Sequence, residues 1–441
     1  MADDMSRCQE LIEARRSRGW SQEELARRIR GAAGRRGLRS GTNRNRVWRW
    51  EAGRAEPDRD SQLHLADVFG VDPATALTRP WPHWLASTRN TPLPFTPHST
   101  VPALREALNA MDRRSFLAYS RGALAGLALD WAATKPPLTL ASPAGEGQTA
   151  DDELLHGLEE TANVLNRLAT RQRQHTGDLL DAHLRTVTSL LAHGRYTAAQ
   201  GARLHLLASG LATTIGWHRF DAERHGSASR YWHSALHAAH AAGDTDRGAG
   251  IVSDMAYQCV WREDPRTAVS LLRHAITSAR NPTARSLLHL RLARALAALG
   301  EAHACRDALT TAERLLGAPS ADPTPSWCHW MSPADLAVDS GVALTHLGDH
   351  KHAAQLLAEG LSLLPPARDK TRAVVLADSA ARDLRLGEVD RAAAHARESL
   401  TLATRIGAPR CVTQVRRLTP KFAAHERTHG VPDLLALLDP G

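Results

Sequence analysis

At 441 residues the chain is long enough for two or three domains and a large core, and its scarce β-branched runs and low aromatic content predict an all-α protein. The net charge is only +8, yet residues 15–54 hold thirteen Arg against Glu23, Glu24 and Glu51, so this stretch carries +10 and the remainder −2. Five scattered Cys without a Cys-x-x-Cys pair argue against a disulfide frame or a zinc ribbon and for reduced thiols in a cytoplasm, and no apolar run approaches the roughly 18 residues of a membrane span.

Residues 6–18 predict a first helix, with Leu11 and Ile12 apolar and Gly19 as its stop. Ser21-Gln-Glu-Glu24 reads as a capping box, in which the Ser hydroxyl accepts the N3 amide and Glu24 reaches back. It opens a second helix whose Leu25, Ala26 and Ile29 face inward. The Gly- and Arg-rich segment Gly31–Gly41 joins it to a third helix; either the second helix runs on, or a basic loop bulges out. Arg35, Arg36 and Arg39 there can meet phosphates or simply be solvated. Thr42 and Asn43 can cap the third helix, and Gly53 stops it. Its Val47 and Trp50 share an inner face, leaving Arg44, Asn45, Trp48 and Arg49 outward. Arg forks onto guanine O6/N7 and Asn reads adenine N6/N7, so this helix suits a DNA major groove. Pro57 and Asp58 lead into a fourth helix with Leu63, Ala66 and Phe69 as a core stripe.

These strings resemble an Xre-type, Cro/repressor-like helix-turn-helix domain over residues 9–77. The matching residues are Ser-Gln-Glu-Glu-Leu-Ala (21–26), Val-Trp-Arg-Trp-Glu-Ala-Gly (47–53) and Pro57. The resemblance implies Gln22 at a phosphate or base, and Arg44, Asn45 and Arg49 facing bases. It places Arg46 and Arg54 on the DNA backbone and makes Glu51 a structural acid. The family's turn between helices 2 and 3 is usually short, whereas here about eleven residues intervene.

The Pro-rich stretch Arg79–Thr100 reads as a linker, with Trp81-Pro-His-Trp84 anchoring it onto a domain. A short helix near 101–133 and a Pro/Gly stretch at 135–147 follow. Asp112-Arg-Arg-Ser-Phe-Leu117 mimics a twin-arginine export signal, but it lies behind a complete helical unit, and Arg121 and Asp130 break its apolar part.

From about residue 150, Ala/Leu-rich segments repeat. Small residues fall in triplets spaced 12 and then 7 apart: Gly216/Ala228/Ala235, Ala256/Ala268/Ala275, Ala293/Cys305/Ala312, Gly341/Ala353/Gly360 and Ala380/Ala392/Ser399. Four residues after each middle member sit Trp232, Leu272, Leu309, Leu357 and Ala396. Small residues let antiparallel helices approach, and the larger one plugs the gap. The spacing resembles the tetratricopeptide repeat, although its steps of 40, 37, 48 and 39 residues are longer. The long step contains an inserted loop, Pro319–Pro333. Residues 150–205 and 405–438 would cap the array; a non-repeating helical bundle is the alternative.

In tetratricopeptide hairpins the first helix of each pair lines the concave face. One residue past each first small position, that ladder reads Trp217, Tyr257, Arg294, Val342 and Ala381, with Trp261 extending the wall. It suits a ligand with an apolar body and an acidic or carbonyl group, unless these aromatics merely fill an inter-helix gap. His233, His237 and His240 share a helical face without a carboxylate or Cys to complete a metal site, and read as a surface or packing stripe. Trp327-Cys-His-Trp330 reads as a loop-burying aromatic pair. No phosphate-binding Gly loop, nucleophile elbow or acid/base pair is visible, so no enzyme and no cofactor are expected.

The expected layout is an Xre-type DNA-binding domain at 1–80, a linker with a connector helix at 81–149, and a tetratricopeptide-like sensor and dimerisation domain at 150–441. It resembles regulators of Gram-positive bacteria, in its Arg-rich style those of actinomycetes, and this association suggests control of differentiation or secondary metabolism. The partners implied are a double-stranded DNA operator, a second copy of the chain, and a small-molecule or peptide effector, with no membrane. The competing expectation is a protein-interaction adaptor with a vestigial N-terminal unit.

Overall fold

Ala, Leu and Arg lose little freedom in a helix, and the chain's wealth of them gives an all-α architecture. A computed structural model describes residues 8–16, 20–69, 71, 76–77, 80–82, 84–85, 92–96, 98–109, 121–137, 140–141, 149–171, 173–319 and 323–438, and no strand occurs among them. No helix among the described residues is long and apolar enough to cross a membrane.

Helices α1 (Gln9–Arg16), α2 (Gln22–Arg35), α3 (Arg44–Glu51) and α4 (Arg59–Phe69) enclose a core of Leu11, Leu25, Ala26, Ile29, Val47, Trp50, Leu65, Ala66 and Phe69. The first helix thus starts at Gln9 rather than residue 6; residues 1–7 and 17–19 lie outside the described residues. Ser21 accepts the Glu24 amide at 3.1 Å, but only half of the expected capping box forms. The Glu24 carboxylate takes Arg27 at 2.6 Å and Arg28 at 2.8 Å instead, charge-assisted partners one turn on. Of the two alternatives for Gly31–Gly41, the longer helix holds: Ala32 and Ala33 are buried and α2 runs to Arg35. In α4 the inner stripe is Leu65, Ala66 and Phe69, whereas Leu63 is only half-buried.

The described residues between 81 and 149 are divided between two cores. Trp84 is buried in the N-terminal one and donates its indole N–H to Gln62 at 3.0 Å, with Trp81 edge-on to it. Phe95, α5 (Thr100–Leu108) and α6 (Arg121–Ala133) belong to the C-terminal core, two helices standing where one short helix was expected. Asp112–Leu117 lies outside the described residues. The helix α10 (His225–Ala241) carries His233, His237 and His240, all buried. The Nε2 atoms of His233 and His237 stand 3.3 and 3.1 Å from the Leu93 carbonyl, and Phe95 stacks on His237 at 4.3 Å. Burial pushes His233 down to about 4 and His237 well below the ordinary range, so these two imidazoles are neutral packing groups that fasten Leu93, Phe95 and Ser99.

After a hairpin of α7 (Asp152–Arg171) and α8 (Arg173–His193), the helices stack in solenoid-like pairs. These are α9 (Ala198–Asp221) with α10, α11 (Thr245–Trp261) with α12 (Pro265–Ser278), and α13 (Pro282–Ala298) with α14 (Ala302–Leu316). Then come α15 (Pro333–His346) with α16 (His350–Leu363), and α17 (Asp369–Arg385) with α18 (Val389–Ile406). Every member of the small-residue triplets is buried. A Cβ on Gly216 would stand 2.5 Å from the Trp232 indole, and one on Gly341 would stand 2.7 Å from Leu357. Of the plugs, Leu309 alone is half-buried. Hydroxyls add a tie that spacing does not reveal. Ser209, Ser286 and Ser399 donate to the Ala235, Ala312 and Ala373 carbonyls across their own pairs, at 3.0, 2.7 and 2.7 Å.

Beyond α18 the short helices α19 (Pro409–Arg416), α20 (Thr419–Ala423) and α21 (Val431–Leu438) finish the stack. The far end returns to the first pair. Asp221, at the end of α9, receives Lys370 at 2.9 Å and Arg410 at 3.0 Å, and Glu223 accepts the Thr413 hydroxyl at 2.9 Å.

Gly216→Ala is expected to destabilise by about 1–3 kcal/mol, because its methyl must displace the Trp232 ring. Gly157→Ala, with nothing within 4 Å of its Cβ, should instead be neutral or stabilise by up to about 1 kcal/mol through helix propensity. Urea unfolding of the two variants checks this, and equal midpoints would overturn it.

Candidate nucleic-acid interface and ligand cavity

Asn43 caps α3, accepting the Arg46 amide at 3.0 Å, and Gly53 ends the segment at φ +65°. Val47 and Trp50 root the helix in the core. Behind it, Glu51 is buried and bound by Arg15 at 2.5 Å and by Gln22 at 2.7 Å, a brace across α1, α2 and α3. Gln22 is therefore half-buried, with its amide committed to Glu51.

The other expected DNA contacts divide by engagement. Arg46 pairs with Asp58 at 3.0 Å, and Arg54 lies over the Trp48 ring at 4.8 Å. Arg44, Asn45 and Arg49 are exposed and, among the described residues, take no hydrogen-bonding or ionic partner through their side chains. Of the loop cations, Arg36 is held by Asp67 at 2.7 Å while Arg39 is exposed.

Between the solenoid's first helices, α7 and the inserted segment lies a cavity of about 820 Å³, ample for a drug-sized molecule. Its wall follows one helical register. Counted from the first small residue of each pair, positions six before (Gly210, Gly250, Leu287, Asp335, Val374), two before (Thr214, Asp254, Arg291, Asp339, Asp378) and one after (Trp217, Tyr257, Arg294, Val342) line it. These offsets are i, i+4 and i+7, a single face. The expected ladder held only its third row. Ala381 does not line the cavity, and neither does Trp261, which sits against Arg410 and Arg417 at 4.8 and 5.1 Å where the ends meet. The two missed rows were open to the same register carried three and seven residues back.

Carboxylates and guanidinia meet in pairs along this wall. Arg291 donates to Asp254 at 2.5 Å, and the Trp217 indole N–H donates to the same carboxylate at 3.0 Å. Arg294 pairs with Asp339, and Arg368 with Asp335, each at 2.5 Å. Burial opposes the Arg294 charge, but Asp339, Tyr257 and Asp378 outweigh it and hold the group above its ordinary range. Trp217 serves core and cavity together: it packs edge-on to Trp232 at 5.5 Å, while Lys370 lies 4.6 Å from its ring centre.

Asp378 stands apart. Its Oδ1 accepts from Gln414 at 2.6 Å, and among the described residues Oδ2 is buried without a hydrogen-bond partner and no cation stands within ion-pair distance, Arg294 and Arg410 acting only through space. Burial pushes its carboxyl up to about 6. The opposite wall brings Asn163, Asn166 and Arg203, the last held by Glu159 at 2.8 Å, and Trp327 and Trp330 from the inserted segment, whose Ser326–Cys328 forms a 3-10 turn.

A family model described as the SP15 N-terminal domain matches residues 11–80, the α1–α4 unit and the start of the stretch after it. No curated protein and no solved structure matches the chain.

The Asp378 shift fixes a pH dependence. The carboxyl binds its proton more tightly in the folded state, near 6 against an ordinary 3.8, so its contribution is fully present below 3.8 and is lost as pH rises through 6. Asp378→Asn, which cannot ionise, should therefore gain up to about 3 kcal/mol on the native protein between pH 4 and pH 8. Urea unfolding of both proteins at the two pH values measures it; a difference that does not change with pH would refute the shift.

Proposed function

We propose that the protein is a sequence-specific DNA-binding transcriptional regulator whose helical-repeat domain senses a small molecule or peptide. The observation that carries the DNA reading is the set Arg44, Asn45 and Arg49. Three side chains of the types that read bases stand exposed on the outer side of a capped, core-rooted helix, within the stretch that holds +10 of charge. Among the described residues the neighbouring Arg15, Arg36 and Arg46 are paired, and these three are not.

Phosphate contacts fall to Arg54 and Arg39, flanking that face, with Arg46 joining them by exchanging Asp58 for a phosphate oxygen. The resemblance to Xre-type domains supports the same orientation, and the buried Arg15–Glu51–Gln22 brace supplies the rigidity a reading helix needs. A homodimer follows from the physics of half-sites, since one helix per site binds modestly and two a helical turn apart bind far more tightly. The cavity, with its aromatic and paired-charge walls, supports the effector role. The protein acts in the cytoplasm on this reading.

Selection from random duplexes provides a cognate site. Arg49→Ala should weaken binding to it by about 1–3 kcal/mol and relax the preference at one base pair. Arg54→Ala should weaken binding to all sequences alike and reduce the salt slope by about 1. A titration in which Arg49→Ala changes neither affinity nor base preference would remove α3 from the groove.

A further inference from the structure

The helix α11 begins on two glycines, and an indole from a different part of the chain presses on each. A Cβ on Gly248 would stand 2.5 Å from the Trp131 ring, and one on Gly250 would stand 2.5 Å from the Trp327 ring. Residues two apart point about 200° apart around a helix, so the first turns of α11 are gripped from nearly opposite sides. Trp131 is buried in the last turn of α6, on the connector that leads back to the N-terminal unit. Trp327 belongs to the inserted segment and forms part of the cavity wall.

The gripped turn is stiff. Asp244 caps it, accepting the Arg247 amide at 2.9 Å, and Asp246 accepts the amides of Arg280 and Asn281 at 2.6 and 3.0 Å. Trp327 is held by packing: among the described residues its Nε1 is buried without a hydrogen-bond partner, whereas Trp330 donates its own N–H to the Trp327 carbonyl at 2.9 Å. A stiff turn between two indoles packed this closely passes displacement on, because close-packed groups have nowhere else to go.

We propose that the first turns of α11 couple the cavity to the connector. An occupant of the cavity resets Trp327 against Gly250, the turn shifts, and Trp131 carries α6 with it. Such an occupant acts only as far as it prefers one setting of Trp327 over the other. The regulatory sense of this link rests on the effector reading above; the mechanical link needs no known effector.

Hydrogen–deuterium exchange on the full-length protein tests it. Trp327→Ala should speed exchange in α6 several-fold and leave α17 unchanged, and the milder Trp327→Phe and Gly250→Ala should disturb α6 in lesser degree. Trp330→Ala, in the same segment but without the glycine contact, should leave α6 as it is. Unchanged α6 exchange in the folded Trp327 and Gly250 variants overturns the link, and so does an equal effect from Trp330→Ala. If α6 responds as expected while the native protein selects no duplex, the link stands and the DNA reading fails.

Discussion

The closeness of the two helices in each pair governs the rest of the C-terminal architecture. Where Gly216 meets Trp232 and Gly341 meets Leu357 there is no room for a methyl group, so the small residues fix the crossing points and, with them, the rotation of every first helix. That rotation decides which face looks inward. The cavity wall is therefore a by-product of the packing register: once Gly216, Ala256, Ala293, Gly341 and Ala380 are buried at the crossings, residues at fixed offsets from them must line the concave side. Cavity lining and fold share one periodicity, and the side chains along it set the chemistry of the wall.

The all-α class, the paired repeats and the inner faces of α2 and α3 were legible because each rests on a local period that burial alone explains. The misreadings have a common cause: they turn on which of several partners a residue finds. Glu24 could turn back to its cap or forward to Arg27 and Arg28, and the charged partners prevailed. Residues 92–97 are Pro-rich in sequence, and nothing local tells that His233 and His237, some 140 residues on, hold Leu93 against the solenoid. Trp261 shares a helix with Tyr257, but the return of Arg410 to the start of the stack draws it away from the cavity. Long-range closure is what a sequence pattern does not show.

Charge illustrates the same limit at the N-terminal unit. The excess of Arg locates a basic surface, yet it does not separate the cations that build the domain from those left over. Arg15 is structural, Arg36 and Arg46 are braced by Asp67 and Asp58, and α3 keeps Arg44, Asn45 and Arg49 in reserve. Buried ion pairs of the Arg15–Glu51 kind add little net stability but penalise misdocking strongly, which holds the outward face at one angle.

The contact of Lys370 and Arg410 with Asp221 changes what kind of object the solenoid is. A linear array of repeats has two ends, and it frays from them because an end unit has one neighbour where an inner unit has two. Joining the last units to the end of α9 gives both ends of the five-pair stack a further set of contacts. Partial unfolding must then break the clasp before it can spread, which sharpens the transition.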